Sequence, residues 1–515
     1  MPPLPFAHSY RYHLITPSLT VFGLLINVAA HGETVSIQPT IDILESYVHQ
    51  TNVASTASFG GETREWVTQI SPGLKVNAKG ANSLIQGDIK YDVYHYGQNT
   101  RPNQSVPTGA LRGVTQSREA GLGLELSWSA RQEPDQFSTN TDSGLVQQGY
   151  TTTEWRISPF FEKRLSDRTE AKLRATQTWV QSSQIGTNTA ARPDSQVTSA
   201  LASLATRPAP LGYDLSLNHQ STQVQGQSEP VLIQTVGRIK GIYALAQELE
   251  LGPIVGVESD KVLLDRFNDR VYGWHVLWRP QERTSLSAQT EQRFFGRSWQ
   301  VDANHRMPWL ALNASFSRIA STYASSIGTV AQGGSLTSLF DAMLTTQIPN
   351  AEDRAKAVDD LITQKKLASQ LNSTRDVYNL SAQLRQNASG RMVIMGRRNT
   401  FAVGAGRVDV SPLTSYLATL SAASRTREYF FSTELNHQLT PTSRLMAGLR
   451  WTRLHNHTVS QPYLFSRSFS WSTAYSTDLS KHASATIGLR KQIAHSTQTG
   501  NSVESAGFAG LGYRF

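Results

Sequence analysis

The 515-residue chain contains no cysteine. That excludes disulfide staples, thiolate metal sites, thiol catalysis and a lipidated cysteine anchor. Long apolar runs are lacking as well. Beyond the first thirty or so residues, no stretch reaches the roughly 18 apolar residues that a membrane-spanning helix needs. With 39% hydrophobic residues and a mean hydropathy of -0.34, the chain is too polar for a bundle of membrane helices. Strands that cross a membrane are not excluded, because only every second residue of such a strand meets lipid. Runs of like charge are also missing. The formal charge is +9, yet the cations stand singly along the chain. This argues against nucleic acid as a partner and points to anionic lipopolysaccharide or an acidic polymer.

The N-terminus reads as an export signal over residues 1–32. Arg11 supplies positive charge, and Val21, Phe22, Leu24, Leu25 and Ile26 form an apolar centre. Small residues follow, with cleavage expected after Ala30 or Gly32.

From Trp66 onward the dominant period is two. Trp66, Thr68, Ile70, Leu74 and Val76 alternate with Val67, Gln69, Ser71, Lys75 and Asn77. Leu122, Leu124, Leu126, Trp128 and Ala130 alternate with Glu125, Ser127 and Arg131. Successive side chains of a strand point to opposite faces, so each segment has one apolar wall and one polar wall. Short polar turns such as Ser166-Asp167-Arg168, Pro280-Gln281-Glu282-Arg283 and Ser480-Lys481-His482 join neighbouring segments into antiparallel hairpins. At about 10 to 14 residues the strands suit a tilted crossing of a bilayer better than a soluble sandwich. The expected fold is all-β: an antiparallel transmembrane β-barrel of the outer-membrane type over residues 33–515. Its expected strand number is about 18, with 16 or 20 as neighbours. The expected location is the cell outer membrane of a Gram-negative bacterium.

The last segment carries the sharpest local signal. Gly507, Ala509, Leu511, Tyr513 and Phe515 share one phase. Leu511, Tyr513 and Phe515 resemble the terminal strand that the barrel-assembly machinery recognises.

One stretch, residues 335–370, departs from the β period. Leu336, Leu339, Phe340, Met343 and Leu344 fall at helical spacing, as do Ala355, Val358, Leu361 and Ile362 after Pro349-Asn350. A helical insertion of roughly forty residues is expected here, in an extracellular loop that either enters the lumen, caps the mouth or packs on itself. A second aperiodic stretch, residues 99–114, contains proline and glycine and reads as a loop.

Candidates for chemistry are few. Asn436-His437 and His455-Asn456-His457 lie at strand positions or ends with no partner set that sequence alone assembles. No His/Asp/Glu group has metal-ligand spacing. Neither enzymatic activity nor a cofactor nor a metal is expected. The polar phase says more: Arg156, Arg174, Arg293, Arg306, Arg385, Arg450 and Arg490 fall on it, with Arg514, and Glu154, Glu170, Glu291 and Glu434 share it. In a barrel these residues line the lumen, either as an ion-pair network that packs the interior or as a basic lining that favours anions.

Several segments resemble an outer-membrane protein family associated with PEP-CTERM and exopolysaccharide systems. They include Ile37-Gln38-Pro39-Thr40-Ile41, Ile70-Ser71-Pro72-Gly73-Leu74, Trp278-Arg279-Pro280, Phe295-Gly296, Leu339-Phe340-Asp341-Ala342, Glu352-Asp353-Arg354-Ala355 and Arg397-Arg398-Asn399-Thr400. The resemblance implies a barrel that works beside exopolysaccharide machinery, in export or surface anchoring, with no catalytic residue set to carry over. The expected partners are outer-membrane lipid and lipopolysaccharide, the barrel-assembly machinery, and exopolysaccharide or its export machinery. The alternatives are a diffusion porin for small solutes and a plugged barrel that binds surface polysaccharide, with an outer-membrane hydrolase last.

Overall fold

The computed structural model describes residues 34–515 apart from 56–57, 101, 118, 135–148, 186–191, 328–335, 346, 349–353, 355–356, 359–360, 362–380, 414–423, 459–462 and 498–499. The expected signal segment therefore lies outside the described residues.

The strands begin with β1 (Thr34–Ser55), β2 (Ser58–Lys79), β3 (Ser83–Tyr96), β4 (Gln104–Gln116), β5 (Leu122–Pro134), β6 (Gly149–Arg164) and β7 (Thr169–Ile185). The ring continues with β8 (Ser195–Thr206), β9 (Leu211–Val224), β10 (Leu232–Ala246), β11 (Leu249–Val262), β12 (Asp265–Gln281), β13 (Thr284–Arg293), β14 (Gly296–Met307) and β15 (Leu310–Ser321). One helix, α1 (Leu336–Leu344), precedes β16 (Gln383–Met395), β17 (Asn399–Pro412), β18 (Ser424–Gln438), β19 (Ser443–Thr458), β20 (Leu464–Asp478), β21 (Ala483–Ser496) and β22 (Gly500–Arg514).

Each strand pairs antiparallel with the next in sequence, and β22 returns to pair with β1 from Thr40↔Arg514 to Thr51↔Val503. The sheet is a closed ring of 22 strands, more than the expected 18. The excess comes from strands whose two faces differ little in polarity. In β8, Thr198, Ala200 and Ala202 share one face while Val197, Ser199 and Leu201 share the other. The stretch expected as a loop at 99–114 is mostly β4. Its Pro107 pairs with Tyr91 and its Gly109 adopts φ +125. A Cβ at Gly109 would run into the Asp88 carbonyl, so only glycine lets these two strands lie side by side here. Glycine and proline hid a strand that the ladder itself accommodates.

The exterior face is fixed by the exposed aromatics. Tyr47, Trp66, Tyr272, Trp274, Trp451, Phe469 and Trp471 all point outward, with aliphatic residues such as Leu435 and Leu489 between them. The alternate residues turn inward and are mostly Ser, Thr, Gln, Glu and Arg: along β20 these are Ser466, Ser468, Ser470 and Ser476, each buried. An apolar outside and a polar inside is the pattern of a barrel that spans a bilayer. Chain connections at the end holding the start of β1 and the end of β22 are tight turns, as at 247–248, 282–283 and 308–309. The opposite end carries the longer connections, among them 135–148 and 322–382. By that asymmetry the tight-turn end faces the periplasm and the loop end faces outward.

A charge on the lipid face is costlier than one in the lumen. Leu489→Arg should lower unfolding free energy in lipid vesicles by about 2–4 kcal/mol. Thr486→Arg, three residues away on the inward face, should cost far less. Equal losses in denaturant titrations of the two variants would overturn the assignment of faces.

Candidate functional site

The lumen is the site, and its inward side chains build it strand by strand. Arg156, Arg174, Arg293, Arg306, Arg385, Arg450 and Arg490 all lie on the inward phase, as the strand registers show. Most are held by carboxylates. Arg174 donates to Glu125 at 2.9 Å, and the same glutamate accepts from Arg112 at 2.8 Å. Arg156 pairs with Glu154 at 2.5 Å, and Arg293 with the buried Glu258. Arg490 sits 3.5 Å from Glu504. Arg238, which the sequence pattern did not single out, grips Glu291 through two bonds at 2.7 and 3.0 Å. Arginine forks matched to carboxylates in this way fix each other's orientation. The reading of these residues as an interior ion-pair network thus describes most of them.

Arg306 is different. Its guanidinium donates to two backbone carbonyls, Glu282 at 3.2 Å and Ala342 at 3.4 Å. Ala342 belongs to α1. The helix lies against the inner wall at the periplasmic end, where Leu339, Phe340, Met343 and Leu344 pack on Ala311, Val393 and Ala402. Val358, Ala357 and Leu361, from the second stretch of helical spacing, join the same cluster. Arg354 ties the two pieces together, donating to Asp341 at 2.7 Å and to the Ile348 carbonyl at 3.0 Å.

The same insertion leaves the wall at the other mouth. After β15, residues 322–327 cross to the far side of the ring. Tyr323, Ala324 and Ile327 pack on inward-facing Val180 and Val197 of β7 and β8. The Tyr323 hydroxyl donates to Glu133 at 2.8 Å. Arg192 donates to Glu133 and to the Tyr323 oxygen, both at 3.1 Å, with its guanidinium 3.5 Å above the Tyr150 ring. Burial opposes the charge of Glu133, and the adjacent guanidinium groups of Arg131 and Arg192 offset that cost. Thr322 and Thr222 meet at 3.1 Å. The insertion therefore enters at the outer mouth on one wall and packs at the periplasmic end on another. The helical insertion of roughly forty residues expected over 335–370 is present, among the described residues, only as short helical pieces. These are the nine-residue helix α1 and the helical positions Arg354, Ala357, Val358 and Leu361. α1 ends at Leu344, whose carbonyl accepts from the backbone N–H groups of Gln347 and Ile348 just before Pro349. Ala355 and Ile362 lie outside the described residues.

Opposite α1, at the periplasmic mouth, the wall of β6 to β12 remains open as a groove of about 680 Å³. Arg164, Arg168, Arg207 and Arg279 line it, with Glu170 and Glu250. Arg279 is paired with Glu250, whereas Arg164 and Arg207 have no carboxylate partner among the described residues. Sequence reasoning missed these arginines because they sit at strand ends and turns, where alternation fades.

His437, considered above for catalysis, faces outward and bonds Asn399 at 2.5 Å. His455 and His457 also lie on the outer face, away from the lumen.

No protein-family model matches the chain, and no curated protein sequence matches it. Solved structures similar to it are large outer-membrane barrels. OpdK of Pseudomonas aeruginosa, solved with vanillate, is 8% identical, covers 93% of this chain and 99% of its own, and gives a TM-score of 0.36. A BenF-like porin from Pseudomonas fluorescens is 9% identical over 93% and 99%, at 0.37. The ferric enterobactin receptor PfeA of Pseudomonas aeruginosa, solved as a mutant, is 9% identical over 94% and 81%, at 0.45. Likenesses of this size fix neither family nor substrate. The class rests on the geometry above: a closed, outer-membrane-type β-barrel with a chain insertion in its lumen.

Removing Arg192 takes from the buried Glu133 one of its two guanidinium partners. Arg192→Ala should cost about 3–5 kcal/mol locally and loosen residues 322–327. Limited proteolysis from the outer side should then cut near this segment in the variant and not in the parent. Identical digests would show that the knot does not hold the insertion.

Proposed function

We propose that this barrel is a diffusion conduit for small anionic solutes, narrowed by the β15–β16 insertion. The observation that carries the reading is the insertion itself, anchored at the outer mouth by Glu133, Arg192 and Tyr323 and at the periplasmic end by α1 and Arg306. A ring of 22 strands encloses a lumen wide enough to require filling. Here the described residues of the insertion pack on the inner wall near both mouths, and a groove lies at the periplasmic mouth across from α1. Selectivity in such a passage follows its lining charges. In the open groove Arg164 and Arg207 have no carboxylate partner among the described residues, which favours anions.

Export of exopolysaccharide, one of the two roles that the sequence resemblance implies, would require a glycan chain to pass the same insertion, whereas surface anchoring would not. No specific contact among the described residues of the lumen favours that role over small solutes.

The test is single-channel conductance of the refolded chain in planar bilayers, with and without residues 335–370. Discrete steps are expected in the intact protein, and larger ones after deletion. Reversal potentials under a salt gradient should show anion preference, reduced by R164Q/R207Q. Silence from both proteins, shown to be folded by their heat-modifiable mobility, would overturn the conduit. A clear cation preference would overturn the selectivity.

A further inference from the structure

On the outer face, the loop-end thirds of β17 to β21 carry an unusual density of cations. Arg425 and Arg427 of β18, Arg453, His455 and His457 of β19, and Arg467 of β20 all take the outward phase. Arg407 of β17 and His495 of β21 flank them on the same face. Among the described residues of this patch the one carboxylate is Asp409. It accepts from Arg407 at 2.6 Å and from Arg427 at 2.5 Å. Arg425, Arg453 and Arg467 are exposed and have no carboxylate partner among the described residues.

The register gives the patch its height on the barrel. Phe431, Trp451 and Phe469 form one outward rung across β18, β19 and β20. Two residues closer to the loop end, the same strands present Tyr429, Arg453 and Arg467. The next rung is Arg427, His455 and Phe465, and then come Arg425 and His457. On these three strands the surface changes from apolar to strongly cationic within one step of the pleat. A guanidinium facing hydrocarbon is costly, so this step marks where the hydrocarbon ends and the headgroup layer begins. The loop end places it on the outer leaflet.

The patch is also shaped. An open groove of about 500 Å³ lies over the loop end of β18 and β19, lined by Arg425, Arg427, Arg453, His455, His457 and Tyr463. Aromatic rings hold several of these cations in place. The Arg453 guanidinium lies 5.4 Å from the Phe465 centroid and donates to His455 at 2.8 Å. Arg407 lies 5.6 Å from the Tyr429 centroid. Stacking fixes the plane of a guanidinium, and a fixed planar fork suits phosphate oxygens better than a flexible ammonium does. The cations of β18, β19 and β20 are all arginine or histidine, with no lysine among them.

We propose that this groove binds the phosphorylated sugar headgroup of an outer-leaflet glycolipid, the phosphate-bearing end of lipopolysaccharide. Arg427, Arg453 and Arg467 would contact phosphate, and the rung of Phe431, Trp451 and Phe469 would pack beside the acyl chains. The inference concerns the outside of the barrel and does not depend on what passes through the lumen.

The test uses the full-length barrel purified in detergent, with bisphosphorylated lipid A, enzymatically dephosphorylated lipid A and phosphatidylglycerol as probes. Native mass spectrometry counts the lipid retained. The parent should retain bisphosphorylated lipid A in preference to both others. R427Q/R453Q/R467Q should lose that preference, by about fivefold for each arginine removed, with unchanged heat-modifiable mobility. If the triple variant fails to assemble, R453Q and R467Q singly should each show the smaller loss. Equal retention by parent and variants, or equal retention of dephosphorylated lipid A, would overturn the proposal. Equal retention of phosphatidylglycerol would also overturn it, as that would mark a non-selective anionic attraction.

Discussion

Hydrogen bonding of the backbone inside a bilayer is the constraint on which everything else depends. Lipid offers no partner for an N–H or C=O, so a sheet that crosses it has to close on itself. Here β22 meets β1 and the ring has no free edge. Closure then dictates the side-chain pattern. Outward residues face hydrocarbon and are apolar or aromatic, while inward residues face a water-accessible or packed interior and are polar. The buried serines along β20 and the exposed Phe469 and Trp471 between them are two results of one geometric rule.

A large ring creates a second problem, an interior too wide to fill from its own wall. Against that interior pack the described residues of a segment inserted between β15 and β16. Its two anchor points are chemically unlike. At the outer mouth a charged and aromatic knot holds it, with Glu133 accepting from both Arg192 and Tyr323. At the periplasmic end apolar packing of α1 on Ala311, Val393 and Ala402 holds it, with Arg306 bridging to the Ala342 carbonyl. Arginine therefore plays three parts in this molecule. Arg174 and Arg293 brace the wall through carboxylates, Arg306 braces the insertion through carbonyls, and Arg453 and Arg467 project from the exterior.

Much of the architecture could be read from the chain. Long alternating segments such as Trp66–Ala78 and Tyr429–Leu439 carry their face assignment in their period, because one residue's slip would turn every side chain over. The inward phase of Arg156, Arg174 and Arg450 follows from the same alternation. Strand number was less legible, since β8 has small residues on both faces and β4 contains Pro107 and Gly109, so neither shows contrast. The helical spacing of Leu336, Leu339, Phe340, Met343 and Leu344 identified α1 and its extent, because that information lies in residues three and four apart.

What the sequence determined by itself is the local period and therefore the two faces of each strand, because that information lies in residues two apart. The count of strands, the partners of the lumenal arginines, the course of the insertion and the gathering of Arg427, Arg453 and Arg467 on one outer patch were decided by tertiary structure. Those features join residues far apart in the chain, such as Glu133 with Tyr323 or Arg238 with Glu291. The lateral neighbours of a closed ring bring Arg238 to Glu291, and the course of the insertion brings Tyr323 to Glu133.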